Sequence, residues 1–306
     1  MSEDYLWDRS GEPDAEVVHL EQVLGQLRWS ASKQRRWPRW PPRWTWIAAA
    51  AAAILVVVMS MRTASPVTSW RLSLKGEKPT AVRAGQVITH GTIESDFVGE
   101  VQVEPESRLR LLRARAGEHR LALDHGTIHA LIWAPPAAFV VDTPAAKTVD
   151  LGCRYTLRVA RDGAGFLTVE MGWVAFEWKN LESFIPAGAA CTTRPGRGPD
   201  TPHFLDAPET LIAAVARFDQ TQDPQALRAA LGAARPRDAL TLWHLLERTR
   251  GPERAEVFDR FAILVKLAPG VGREAILSGD RKAMDVAWDA LQLGDTSWWR
   301  GWKREW

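Results

Sequence analysis

Residues 44–61, WTWIAAAAAAILVVVMSM, run for 18 positions without a charged side chain and divide the chain in two. At about 1.5 Å per helical residue the run spans roughly 27 Å, close to the ~30 Å hydrocarbon core of a bilayer. Its flanks are asymmetric. Arg28, Lys33, Arg35, Arg36, Arg39 and Arg43 precede it with no acid among them, whereas only Arg62 stands close behind. Excess positive charge marks the cytoplasmic side of a membrane helix, so residues 1–43 are expected inside and everything after about residue 62 outside. Trp37, Trp40, Trp44 and Trp46 fall where an interfacial aromatic belt forms.

A cleaved signal peptide has a short basic start, but this run begins at residue 44. The following Arg62-Thr63-Ala64 also lacks the small residue needed three before a cut. A buried core helix seldom carries so one-sided a basic flank. The expectation is one transmembrane helix over 44–62. It leaves an N-terminal piece (1–43), a β region (66–205) and a helical C-terminal domain (206–306).

Charge is segregated along the chain. Residues 1–27 hold Glu3, Asp4, Asp8, Glu12, Asp14, Glu16 and Glu21 against Arg9 alone, and residues 28–43 then hold six bases. A basic block beside a span suits anionic lipid headgroups. Nothing else forms a stripe suited to DNA or RNA, so no direct nucleic-acid partner is expected.

Residues 13–28 read as a helix. Pro13 suits the first helical position, and Asp14 favours the positive end of the dipole. Val17, Leu20, Leu24 and Leu27 recur at spacings of 3, 4 and 3 on one face. A lone amphipathic helix of this length is marginal in water. With Trp7 ahead of it, the segment calls for a partner surface.

From about 66 to 205 the chain reads as short strands: 101–105, 108–112, 120–124, 127–133, 138–142, 154–159, 166–171 and 173–178. They alternate in polarity, are rich in β-branched and aromatic residues, and are punctuated by glycine. Such spacing implies a sandwich, barrel or solenoid. After Pro208 the pattern turns helical, with segments near 208–218, 224–234, 236–249, 252–267 and 280–292. Pro236 and Pro252 suit helix starts. The chain ends in WWRGWKREW (298–306), which either caps the last helices or lies against outer headgroups; its role stays open.

Five segments in register resemble the FecR-like domain of iron-citrate-type transmembrane regulators. They are Pro105-Glu-Ser107-Arg-Leu109, Leu121-Ala-Leu123-Asp-His-Gly126-Thr-Ile128, Phe139-Val-Val-Asp-Thr143-Pro144, Leu151-Gly152-Cys153-Arg-Tyr155-Thr-Leu157 and Pro186-Ala187-Gly188. Their order and spacing match over residues 72–193. The resemblance implies a β scaffold in the bacterial periplasm, carried by a single-pass protein of the inner membrane. It also implies an anti-sigma factor, whose short cytoplasmic N-terminus binds an extracytoplasmic-function sigma factor in response to an outside signal. Trp7, Val17, Leu20, Leu24 and Leu27 are the expected docking residues. A second reading is a periplasmic envelope scaffold without a transcriptional role. Neither names the outer partner.

Within the motifs, Gly126 and Gly152 are expected at tight turns where a side chain would clash, and Thr143-Pro144 is expected to stop a strand. None of these residues carries chemistry. His19 has no cysteine near it in residues 1–43, so a zinc site of one His and two Cys cannot be built there. His125 and His129 share a strand face only if Gly126 does not bulge, and the expectation is structural histidines. No phosphate loop, nucleophile elbow or HExxH pattern occurs. No catalysis, metal or cofactor is expected. Cys153 and Cys191 are expected to form a disulfide in an oxidising compartment, closing a loop of about 38 residues; the competing reading is two separate buried thiols.

Overall fold

The computed structural model describes residues 18–19, 69–267 and 272–294, in two units divided after Thr63. In the first unit Val18 and His19 are helical and exposed. The rest of the helix expected over 13–28, its docking residues Trp7, Val17, Leu20, Leu24 and Leu27, and the span expected over 44–62 lie outside the described residues. Among the described residues no helix is long and apolar enough to cross a membrane.

The second unit opens with a series of short strands: β1 (Arg71–Ser73), β2 (Thr80–Ala81), β3 (Val87–Ile88), β4 (Gly91–Ser95), β5 (Gly99–Val103) and β6 (Arg108–Arg115). After them come β7 (Glu118–Ile132), β8 (Phe139–Asp142), β9 (Lys147–Asp150), β10 (Arg154–Val159) and β11 (Gly165–Met171). The series closes with β12 (Trp173–Trp178), β13 (Leu181–Pro186), β14 (Ala189–Arg194), β15 (Gly198–Pro199) and β16 (His203–Phe204). Alternation explains most of them. β10 buries Tyr155, Leu157 and Val159 and exposes Arg154 and Arg158, as a period of two requires for a half-covered strand. Each fully buried side chain of this kind is worth about 1.5–3 kcal/mol.

β7 organises the whole. Its first half pairs antiparallel with β6 and parallel with β8, while its second half pairs antiparallel with β5 and β10. It therefore belongs to two ladders. One runs β13-β12-β9-β8-β7 with β6 and β3 alongside; the other continues β7-β10-β11-β14, flanked by β5, β4 and β1. The short-strand β expectation holds, but the segments 120–124 and 127–133 are one strand rather than two. The handover falls at Gly126, whose φ of +105° favours glycine. A Cβ there would lie 2.3 Å from Ser107 Cα. Ser107 Oγ accepts from Thr127 N at 3.0 Å and donates to Thr127 O at 3.2 Å. Gly126 is thus a mid-strand crossing point and not a turn.

Gly152 differs again. It lies at φ +89°, but a Cβ would meet nothing within 4 Å. Its backbone angle, and not crowding, explains the glycine; the crowded neighbour is Gly172, whose Cβ would sit 2.1 Å from Gly152 O. Thr143 behaves as expected. β8 ends at Asp142, and Thr143 Oγ1 accepts from Ala146 N at 3.0 Å and donates to Ala146 O at 2.8 Å, closing the turn into β9.

Helices follow: α1 (Glu209–Thr221), α2 (Pro224–Ala233), α3 (Ala239–Arg248), α4 (Gly251–Leu264), α5 (Arg273–Ser278) and α6 (Arg281–Asp289). Pro224 opens α2, and Asp223 caps it by accepting from Gln225 N at 2.9 Å. Asp280 caps α6 through Ala283 N. α1 packs on α2 and α3 on α4. These helices do not form a domain of their own: the strands and helices share one hydrophobic core. β12 and β13 show why. Val174-Ala175-Phe176 and Ser183-Phe184-Ile185-Pro186 are buried consecutively, so both faces need cover. Residue 206 marks a change of secondary structure within one compact unit.

Gly126→Ala should be more destabilising than Gly152→Ala, because only the first adds a backbone clash to the unfavourable φ. Urea unfolding should show a loss of about 3 kcal/mol or more for the first and about 1–2 kcal/mol for the second.

Candidate functional site

Two buried polar clusters stand out in the second unit. The first forms where β9 hands over to β10. Asp150 is 1 % exposed. Its Oδ1 accepts from Gly152 N at 2.7 Å, and its Oδ2 accepts from the Cys153 thiol. Burial raises the Asp150 carboxyl to about 7, against the opposing pull of these two donors. Burial and the nearby Asp150 carboxylate raise the Cys153 thiol well above its ordinary value, and Tyr155 is raised for the same reasons. Cys153 is therefore a poor nucleophile, since reactivity belongs to the thiolate.

Cys153 and Cys191 are separate thiols, which overturns the expected disulfide. Cys191 lies in β14 opposite Leu167 of β11, and Leu167 lies opposite Leu157 of β10. Cys153 precedes β10, four residues from Leu157. Two strand spacings of ~4.8 Å and four residues of ~3.3 Å put the pair roughly 16 Å apart, well beyond the ~7 Å limit for a bridge. Cys191 Sγ donates instead to Asp200 O at 3.2 Å, and burial pushes its thiol upward.

The second cluster joins strands to helices. His244 of α3 donates from Nε2 to Phe184 O of β13 at 3.1 Å. Burial, reinforced by Arg248, lowers this imidazole to about 3, so it is neutral at ordinary pH. Arg248 donates to Ser183 Oγ at 2.5 Å and to Asp200 O at 3.0 Å. Thr241 Oγ1 donates to Pro202 O at 2.9 Å. Beside them Trp173 stacks on Phe184 at 5.0 Å, and Trp288 meets Phe184 and Trp243 edge-on at 5.1 and 4.9 Å. The Trp243 indole N–H donates to Met284 O at 2.9 Å. This junction fastens α3 and α6 to β13.

On the open face of the ladder β5-β7-β10, His129 Nε2 lies 2.8 Å from Glu104 Oε1, and its Nδ1 lies 2.9 Å from Thr156 Oγ1. These contacts are those of a surface network. Among the described residues no cluster of three or more His, Cys, Asp or Glu is placed to hold a metal. A cleft of about 790 Å³ lies between the turn after β12 and the ends of α3, α5 and α6. Arg254, 5 % exposed, sits at its floor and spends its guanidinium on Thr249 O and Leu277 O.

The sequence singled out Cys153 and the motif glycines, but not Asp150, His244, Arg248, Phe184 or Trp288. One signal for Trp288 was available: Trp173 and Trp288 belong to a chain unusually rich in tryptophan, with 16. Their convergence depends on contacts more than 100 residues apart.

Two results test the clusters. Native protein should not react with an aromatic disulfide reagent, and unfolding without reductant should expose two titratable thiols; none would restore a bridge. Asp150 has a raised folded pKa, so its contribution is present below about pH 4 and falls as pH rises to about 7. The interval of about three units is worth roughly 4 kcal/mol. Asp150→Asn should therefore gain stability relative to wild type between pH 4.5 and 7.5, read from paired urea midpoints.

No known protein family matches the chain. No curated protein matches it. Two crystal structures of a proposed anti-sigma factor from Parabacteroides distasonis, at 1.65 and 2.50 Å resolution, superpose with a TM-score of 0.31 and 16 % identity. Each covers 44 % of this chain, and the chain spans 61 % and 62 % of theirs, about three fifths of their length. At that level of identity and superposition, function rests on this chain's own residues.

Proposed function

We propose that this chain is a single-pass membrane regulator that binds an extracytoplasmic-function sigma factor through its cytoplasmic N-terminus. On this reading residues 44–62 anchor it in a bacterial inner membrane, and the β-and-helix unit receives a signal on the periplasmic side. The observation that supports it is the use to which the motif residues are put. Ser107, Gly126, Thr143 and Gly152 lace strands and close turns. They build a stiff scaffold of the kind another protein binds or pulls. The charge pattern and the apolar face of residues 13–28 supply the second half of the reading. The signal would reach the strands through the helices, because His244, Arg248 and Trp288 fasten the two together.

Full-length protein extracted from membranes should capture a sigma factor. Leu20→Asp and Leu24→Asp should each weaken that capture by roughly 100-fold or more, since a buried unpaired carboxylate costs several kcal/mol. Glu21→Ala, off that face, should leave capture unchanged. Absence of any sigma factor from the wild-type capture would leave the envelope scaffold as the better reading.

A further inference from the structure

One end of the ladder β1-β4-β5-β7-β10-β11 carries exposed apolar side chains that the fold does not need. β1 enters the sheet opposite β4, with Arg71 across from Glu94, so Ser69 lies at the level of the turn after Ser95. Arg71 ties that point down by pairing with Asp96 at 2.5 Å. The turn is closed by Val98 N donating to Ser95 O at 3.1 Å, which puts Asp96 and Phe97 at its corners. Asp suits a turn corner; phenylalanine does not. Phe97 is nevertheless 78 % exposed. Next to it the Trp133 ring, 54 % exposed, is held by its indole N–H donating to Asp96 O at 3.2 Å. Gly99 pairs with Ile132, so Trp133 and the Phe97 turn share one end of the sheet. Met171, also 54 % exposed, stands at that end opposite Arg154.

Ser69 and Gly294, the outer ends of the second unit's described residues, lie in this neighbourhood. Seven residues, 62–68, separate the apolar run from Ser69. Fully extended they reach at most roughly 25 Å. At the other terminus, Gly294 abuts the Trp173 ring, two residues from Met171, and Trp288 Nε1 donates to Gly294 O at 2.9 Å. Beyond it the sequence holds Trp298, Trp299, Arg300, Trp302, Lys303, Arg304 and Trp306. Tryptophan settles at the headgroup level of a bilayer, and Arg and Lys are attracted to anionic lipid.

We infer that this end of the sheet, led by Phe97 and Trp133, rests on the outer lipid surface of the membrane that anchors the chain. The inference rests on the anchored reading proposed above. A large apolar side chain at a turn corner is a liability on a free surface and an asset at an interface. The contact would hold the unit in one orientation, with the opposite end of the ladder, the β10–β11 turn, pointing away. From Arg154 to Val159 alone that is roughly 17 Å at about 3.3 Å per residue.

The full chain is reconstituted in nanodiscs of phosphatidylcholine and phosphatidylglycerol, with some acyl chains brominated near the headgroup. A bimane is attached in turn to Pro135→Cys, Arg161→Cys and Ala51→Cys. Cys153 and Cys191 are fully buried and escape labelling in the folded protein. Bromine should quench the labels at 51 and 135 and spare the label at 161. Adding Phe97→Ser and Trp133→Ser should abolish quenching at 135 and leave it at 51. Quenching at 51 without quenching at 135, or quenching at 135 that survives the double substitution, would overturn the lipid contact while the anchor stands. An unquenched label at 51 would overturn the anchored reading, and the lipid contact with it.

Discussion

The structure depends on one strand serving two ladders. β7 pairs with β6 and β8 in its first half and with β5 and β10 in its second, so every other β element is attached to it directly or through intervening strands. Such a strand must change partners without losing its hydrogen bonds, because buried unpaired amides are costly. Gly126 and Ser107 solve this locally. Glycine lets the backbone take a positive φ and lets Ser107 come close, and the serine hydroxyl then bonds both the N–H and the C=O of Thr127, whose carbonyl also accepts from Glu104 N. Two segments of the sequence motif, 19 residues apart, are therefore halves of one contact.

The helices complete the ladder that ends in β12 and β13. β12 and β13 present apolar side chains on both faces, and without α3 and α6 the aromatic rings of Trp173 and Phe184 would face water. Burial alone would permit sliding. The bonds from His244 to Phe184 O, from Arg248 to Ser183 and Asp200, and from Thr241 to Pro202 set the register of helix on strand. A neutral His244 is part of that design: protonating it would place a buried charge beside Arg248, which is why its proton affinity is so low.

Legibility in the sequence followed the range of the interaction. β10 and β12 were readable to the residue, 154–159 and 173–178, since each combines alternation or a dense apolar run with flanking turn residues. β4, β9, β13 and β14 were not. GTIES and KTVD are short and polar, LESFIP ends in proline, and AACTTR is made of small residues. They become strands because neighbours offer them hydrogen bonds. Helix starts at Pro224 and near Pro252 and Asp280 were legible, because a cap is a contact within one turn. The short α5 lacked enough residues to show a period.

By itself the sequence determined the segregation of charge around residues 44–61, the apolar face of residues 13–28, the β character of the middle and the helical character of the end. All of these are properties of residues close together in the chain. Tertiary structure alone decided that Cys153 and Cys191 stay roughly 16 Å apart, that Asp150 is buried against a thiol, and that Phe97 and Trp133 share one end of a sheet. The first and last are set by strand register between segments tens of residues apart; Asp150 and Cys153 are three residues apart, and it is their burial that the rest of the sheet decides. Register is a collective property of the sheet: shifting one strand by a residue turns all its side chains to the other face.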